Sequence, residues 1–257
     1  AIVTGRGRAF SAGFDLKSAA GLAPPEDTVP DLTTGIDLVA VNGDYVDCQG
    51  IRGGTGFGGL SDREGIKPVI AAVNGIAHGG GFETALACDI IIASENADFS
   101  LPEPKVGLYA AAGGAIRLPR LIGYHNALAM ILTGRRVKAN EALTLGICSQ
   151  VVPGGNEEVL EAALKTAKQI LMCSPDSTQA SLQVVKKSLS EEISILEAMK
   201  EQQNYPAVKR MNLSHNTMEG PRAFSEKRLP DWKPPKPLEE YEQMSWDEYV
   251  TIMRSKL

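Results

Sequence analysis

The chain is short of the residues that build metal centres and disulfide frameworks. Four cysteines, Cys48, Cys88, Cys148 and Cys173, are spread over 257 residues with no CxxC pair. That pattern argues against a stapled secreted domain and for free, buried thiols in a reducing compartment. The three histidines, His78, His125 and His215, stand far apart, so no zinc-ligand spacing occurs. Aromatic residues make up only 5% of the chain. No apolar run approaches the roughly 18 residues a membrane span requires. Positive charge is not in excess: the net charge is −5, which offers nothing to a nucleic-acid backbone.

What is present is a globular composition, 43% hydrophobic and 22% charged, enough for one large core or two smaller ones. The chain opens on Ala1-Ile-Val-Thr-Gly5, which reads as the end of a strand, so a longer natural chain is expected at this end. No signal or transit peptide pattern stands there. At the other end Ser255-Lys256-Leu257 has the form of a peroxisomal import address, read by an import receptor, and predicts that compartment.

Residues 17–66 are rich in Gly, Pro and Asp and have little periodicity, so they read as long loops with room for one helix. Within them Gly54-Thr55-Gly56-Phe57-Gly58-Gly59 matches GxGxxG. Neither a strong strand before it nor an amphipathic helix after it is evident, so it reads as a loop and not a dinucleotide site. Residues 69–73 and 90–93 are short continuous apolar runs that predict buried strands. Asn74-Gly75 marks a turn, and Gly79-Gly80-Gly81 opens a short helix over 82–88. From about 139 the pattern turns helical. Apolar residues at 159, 160, 163, 164, 167, 170 and 171 follow a 3.6 period behind a possible Asn156 cap. Further helices are expected over 177–189, 191–203 and 220–228. A proline-rich linker follows, then an amphipathic tail helix over 238–257 with Tyr241, Met244, Trp246 and Tyr249 as its apolar contacts. The expected organisation is an α/β core over 1–138, a helical region over 139–230, and a linker and tail over 231–257.

Three segments carry possible chemistry. In Gly79-Gly80-Gly81-Phe82-Glu83, glycines at a helix start would present unpaired N–H groups to an oxygen that gains negative charge. Glu83 lies about one turn beyond Gly80 and can face the same cavity. A tight strand-to-helix turn with a solvated Glu83 explains the same residues. Glu103, in Leu101-Pro102-Glu103-Pro104, stands 20 residues after Glu83. A returning strand would bring the two carboxyls together around a water, one to deprotonate it and the other to protonate carbon; a surface loop is the simpler alternative. In Ala9-Phe10-Ser11-Ala12-Gly13-Phe14-Asp15-Leu16, small residues in an apolar segment either expose backbone to a ligand or form a bulge at an edge.

In combination these segments resemble the enoyl-coenzyme A hydratase/isomerase (crotonase) family. The resemblance runs from residue 1 to about 230. It is strongest in 9–16, in KPVIAAVNGIAHGGGFETALACDIIIASENADFSLPEPKVGL from Lys67, and in Gly113-Gly114 and Arg117-Leu118. The segment Ala223-Phe224-Ser225-Glu226-Lys227-Arg228 is similar to the family's last helix. The resemblance implies a crotonase-type ββα spiral with a helical C-terminal trimerisation region, hence a homotrimer or hexamer. It implies an oxyanion hole from the N–H groups of Phe14 and Gly80, and Glu83 and Glu103 as catalytic acids. Backbone at Ser11, Ala12, Gly13 and Phe14 would hold the adenine of coenzyme A, and Lys227 of a neighbouring subunit its phosphates. The implied reaction is reversible hydration of a 2-enoyl-CoA, with no metal or redox cofactor beyond the coenzyme A of the substrate. Alternatives are an enoyl-CoA isomerase, a carnitinyl-CoA-type dehydratase, or a non-catalytic scaffold on the same fold.

Overall fold

The structure is a computed structural model that describes residues 1–13, 36–39, 57–63, 65–190 and 194–256. Phe14, Cys48, most of the 17–66 segment and Leu257 lie outside the described residues. The chain divides into two compact units, Ala1–Lys168 and Gln169–Leu257.

The first unit is built from a repeated step. Strand β1 (Ile2–Gly5) runs in one sheet, the chain turns, and β2 (Ala9–Ser11) runs in a second. Strand β3 (Ile36–Val39) lies along the first sheet's edge, antiparallel to β1. The step then recurs as β4 (Ile70–Val73) and β5 (Ile76–His78), and, after helix α1 (Gly80–Leu86), as β6 (Ile90–Ser94) and β7 (Asp98–Ser100). Helices α2 (Gly114–Ile122) and α3 (Tyr124–Thr133), strand β8 (Val137–Lys138), helix α4 (Ala139–Leu145), strand β9 (Gln150–Val152) and helix α5 (Asn156–Leu171) follow. The sheet orders are β3-β1-β4-β6-β9 and β2-β5-β7-β8, parallel except for the outer pairs β1–β3 and β7–β8.

Central parallel strands are covered on both faces, which is why β4 reads as an unbroken apolar run with every residue buried. Val3, Phe10, Ala71, Val73, Phe82, Ala93, Phe99 and Leu118 pack into one hydrophobic core. The Phe82 and Phe99 rings meet at 5.2 Å. Buried Asn74 holds two of the turns together. Its amide donates to Gly7 O at 3.0 Å and to Asn156 Oδ1 at 2.9 Å, while its oxygen accepts from Gly5 N at 3.2 Å. The Asn156 oxygen, expected as a helix cap, is thus a partner of Asn74. The period read over 159–171 is real: Val159, Ala163 and Ala167 are the buried residues of α5. The core unit extends to Lys168, beyond the boundary expected at 138, because β8 and β9 pair with β7 and β6.

The second unit contains α6 (Pro175–Ser190), α7 (Ile195–Glu201), α8 (Pro206–Leu213) and α9 (Asn216–Ser225). An extended proline-rich stretch leads to α10 (Glu239–Glu242) and α11 (Trp246–Lys256). Buried Arg210 donates to Asp176 at 3.0 Å and to the Lys236 carbonyl at 2.8 Å. Asn216 holds both backbone groups of Lys233 at 2.8 Å. The stretch is therefore latched to the helices by its own backbone. The tail forms two helices, not one, because Ser245 starts a new helix, its Oγ accepting from Glu248 N at 3.2 Å. Tyr241 and Tyr249 are buried as expected, but Trp246 is exposed. Cys148 is buried, Cys88 half-buried and Cys173 exposed, so the described cysteines form no disulfide among themselves and are not uniformly buried. Among the described residues no helix is long and apolar enough to cross a membrane.

Candidate active site

Parallel pairing of β5 with β7 decides where the two acids stand. His78, the last residue of β5, pairs with Ser100, the last of β7. Chain leaving β5 enters α1, which carries Glu83; chain leaving β7 enters a short 3₁₀ turn, Glu103–Val106. Both carboxyls thus sit beyond the same ends of neighbouring strands, joined there by Gly79 N–H donating to Ser100 O at 2.9 Å. Side chains past the carboxyl ends of parallel strands share one crevice. Glu83 is buried, which removes the solvated alternative for it, and Glu103 is half-buried.

Helix α1 starts at Gly80, two residues before the expected Phe82. Gly79 makes this possible: its φ of 53° turns the strand directly into a helix, a conformation that Cβ penalises. No side chain caps the helix, so its first N–H groups remain at its open end. Three further contacts require glycine. A methyl at Gly80 would sit 2.6 Å from the Phe57 ring, and one at Gly81 2.2 Å from Ser11 O. A methyl at Gly13 would lie 3.0 Å from Gly80 N, and Gly13 N itself donates to Ser11 Oγ at 3.3 Å. Ser11 and Gly13 therefore line the start of α1, with Ala12 between them. Phe14, the other expected donor, lies outside the described residues. Lys227 is exposed in the second unit, at a left-handed φ of 55° where α9 ends.

The two carboxyls differ in their surroundings. Glu83 is 4% exposed, and its Oε1 accepts from Gly114 N at 2.8 Å, the first residue of α2. Burial raises its pKa, while the N–H groups of Gly114 and Ala112 and the charge of Arg117 pull it down. Glu103 is half-buried. One of its oxygens faces Gly79, where an added methyl would lie 3.3 Å away. The other, Oε2, is buried without a hydrogen-bond partner among the described residues. Burial raises its pKa, opposed only by its own backbone, and the Glu83 charge raises it further. Burial thus raises the pKa of both carboxyls, but the Glu83 anion is partly compensated by backbone N–H groups and Arg117, whereas the Glu103 anion also meets the charge of Glu83. An orphaned buried oxygen is costly unless a ligand or water completes it.

Residues beyond the predicted set complete the site. Gly114 anchors Glu83, and Arg117, one turn further along α2, donates to the carbonyls of Ser61 and, at 3.2 Å, Ala112. Ser61 Oγ accepts from Phe57 N at 2.7 Å, and Phe57 lies on Gly80. Gly113-Gly114 and Arg117 stood out in the sequence as part of a resemblance, but nothing in their spacing announced a link to Glu83.

The paired strand repeats and this arrangement of acids define a crotonase-type fold. The family model for enoyl-CoA hydratase/isomerase matches residues 60–235. Carnitinyl-CoA dehydratase of Salmonella typhi is 39% identical over 244 residues, 91% of this chain and 80% of that protein. The protein of the same name from Proteus mirabilis is 40% identical over 241 residues, with the same coverage. Among solved structures, enoyl-CoA hydratase from Mycobacterium tuberculosis superposes with a TM-score of 0.70 at 33% identity, over 90% of this chain and 79% of that one. The enzyme from Bacillus anthracis gives 0.69 at 34%, over 90% and 80%. The chain belongs to the enoyl-CoA hydratase/isomerase family.

Proposed function

We propose that the protein adds water reversibly to a 2-enoyl-CoA, giving the 3-hydroxyacyl-CoA. The observation that carries this reading is a pair of acids beyond neighbouring strand ends, one with its anion partly compensated by N–H groups and Arg117 and the other without that help. Glu83, held by two backbone N–H groups and near Arg117, is suited to act as the base. Glu103, with an oxygen unpartnered among the described residues and its pKa raised by burial and by Glu83, is suited to hold a proton. In hydration, Glu83 takes a proton from water as its oxygen bonds to C3. The electron pair moves to C2 and the thioester oxygen, and Glu103 delivers its proton to C2. The Gly80 N–H, with that of Phe14, would take the charge on the thioester oxygen; each such donor contributes about 3–4 kcal/mol at the transition state. Ser11, Ala12 and Gly13 offer backbone to the adenine of coenzyme A, and Lys227 its ammonium to the phosphates across a homotrimer or hexamer. No metal or redox cofactor enters the reading.

A second substrate is favoured by the names of the relatives above: the same acids run in reverse would dehydrate carnitinyl-CoA. The test is to mix the protein with crotonyl-CoA, longer 2-enoyl-CoA esters and carnitinyl-CoA, following the conjugated enoyl absorbance and identifying the products. Loss of absorbance with a 3-hydroxy product supports hydration; its appearance from carnitinyl-CoA selects the second substrate. Conversion of a 3-enoyl-CoA alone would make the protein an isomerase and overturn the reading.

A further inference from the structure

We propose that Arg117 is a positioning residue that fixes the water-side acid and the aromatic wall of the acyl cleft as one unit. The inference rests on the hydration reading above for its kinetic part and on the geometry alone for the rest.

Two walls of the site come from segments far apart in sequence. One is the start of α2, where Gly114 N–H grips Glu83 at 2.8 Å. The other is the turn 57–63, which lays Phe57 against Gly80. The turn is held internally by Ser61 Oγ, which accepts from Phe57 N at 2.7 Å. Arg117 ties the walls together. One arm of its guanidinium donates to Ser61 O and the other to Ala112 O, immediately before Gly113. A methyl at Gly113 would lie only 1.9 Å from Arg117 Nη1, so the guanidinium occupies the space this glycine leaves open. A planar fork on a half-buried stem is what two carbonyls on separate segments require; an ammonium offers no such pre-set geometry.

The same guanidinium is the cation that faces Glu83. Among the described residues, the other charged or titratable groups around this set are Glu103, which feels Glu83, and Asp62 and Cys88, which face Arg117. Without Arg117, Glu83 would keep its burial and lose the countercharge that this guanidinium supplies. Its proton would be held to higher pH, and the acid limb of hydration, which needs ionised Glu83, would move up with it.

The test uses the full chain with Arg117→Gln, which removes the charge but keeps one donor, and Arg117→Lys, which keeps the charge but loses the fork. In R117Q the acid limb of the kcat/KM profile moves to higher pH. In R117K the limb stays, while kcat falls about 10- to 100-fold from loosened placement. In both, backbone amides of 57–63 lose hydrogen-exchange protection and preference among acyl chain lengths flattens, because Phe57 is no longer pinned. Rates within about twofold of the parent and unchanged exchange in R117K overturn the proposal, whether or not R117Q folds. So does an R117Q that melts earlier but keeps its acid limb, since that is a purely structural arginine. If the parent protein turns over no enoyl thioester, the hydration reading fails by itself. The Arg117 link is then read from exchange at 57–63 and from the Glu83 carboxyl titration by carbon-13 NMR, assigned with E83Q; no change in either refutes it.

Discussion

Glu103→Gln separates chemistry from stability at one atom. The amide is nearly isosteric, so Gly79 keeps its neighbour and the 3₁₀ turn is undisturbed. The proton that the mechanism delivers to C2 is gone, however. General acid catalysis contributes about 10²- to 10⁴-fold, so the variant should lose about 3–5 kcal/mol of transition-state stabilisation. Stability should move the other way, with a definite pH sign. Burial raises the Glu103 pKa above its ordinary 4.5, so the folded state binds this proton more tightly than the unfolded chain. That contribution is fully present below 4.5 and is lost as pH rises through the folded value. In alkaline solution the ionised, orphaned Oε2 works against the fold. E103Q should therefore melt higher than the parent at about pH 8 and show no gain in acid. Crotonyl-CoA turnover and thermal melts at the two pH values check both halves. A kcat within about tenfold of the parent would refute Glu103 as the proton donor. A lower melting temperature at every pH would refute the account of its burial.

Gly114→Ala should lower kcat about 10- to 100-fold with little change in KM, because the new methyl would lie 3.0 Å from Glu83 Cγ and Oε1 and must push the carboxylate aside; unchanged kcat would mean Glu83 needs no such placement. In Asp98, burial pushes the pKa up, but hydrogen bonds from Arg136, Lys138 and His78 outweigh it and hold the carboxyl at about 2. Its stabilisation is complete above the ordinary 3.8 and lost as pH falls through about 2. Screening at the exposed ends of Arg136 and Lys138 leaves about 1–2 kcal/mol, so Asp98→Asn should cost that much in neutral urea melts and nothing near the acid limit; a pH-independent loss would contradict it. Asp176→Ala strands buried Arg210 and frees Asn216, which should cost about 3–5 kcal/mol in denaturant unfolding of the full chain; a loss below about 1 kcal/mol would mean the pair is relaxed by water.

Much of the local structure was legible because it is set over a few residues. Apolar runs long enough only for strands announced β4 and β6. A 3.6 period announced α5, and three glycines announced a helix start that approaches other backbone closely. The identities of Glu83 and Glu103 could be read as well, as could the family they resemble. The sequence did not show β7, β8 or β9 as strands, since each is two or three residues long and carries too little pattern. A single helix was expected in the tail because periodicity cannot register the break at Ser245.

By itself, then, the sequence determined which residues could do chemistry and that Gly80 could open a helix with free N–H groups. The tertiary structure set Glu83 and Glu103 beyond the same ends of neighbouring strands, because parallel pairing of β5 with β7 aligns the two strand ends from which they depart. It also decided that they differ. Gly114 and Arg117 reach Glu83 from a helix that begins 31 residues later, while Oε2 of Glu103 has no partner among the described residues. Proton affinity depends on what surrounds a carboxyl in space, and those neighbours come from segments whose separation along the chain says nothing of their distance in the fold.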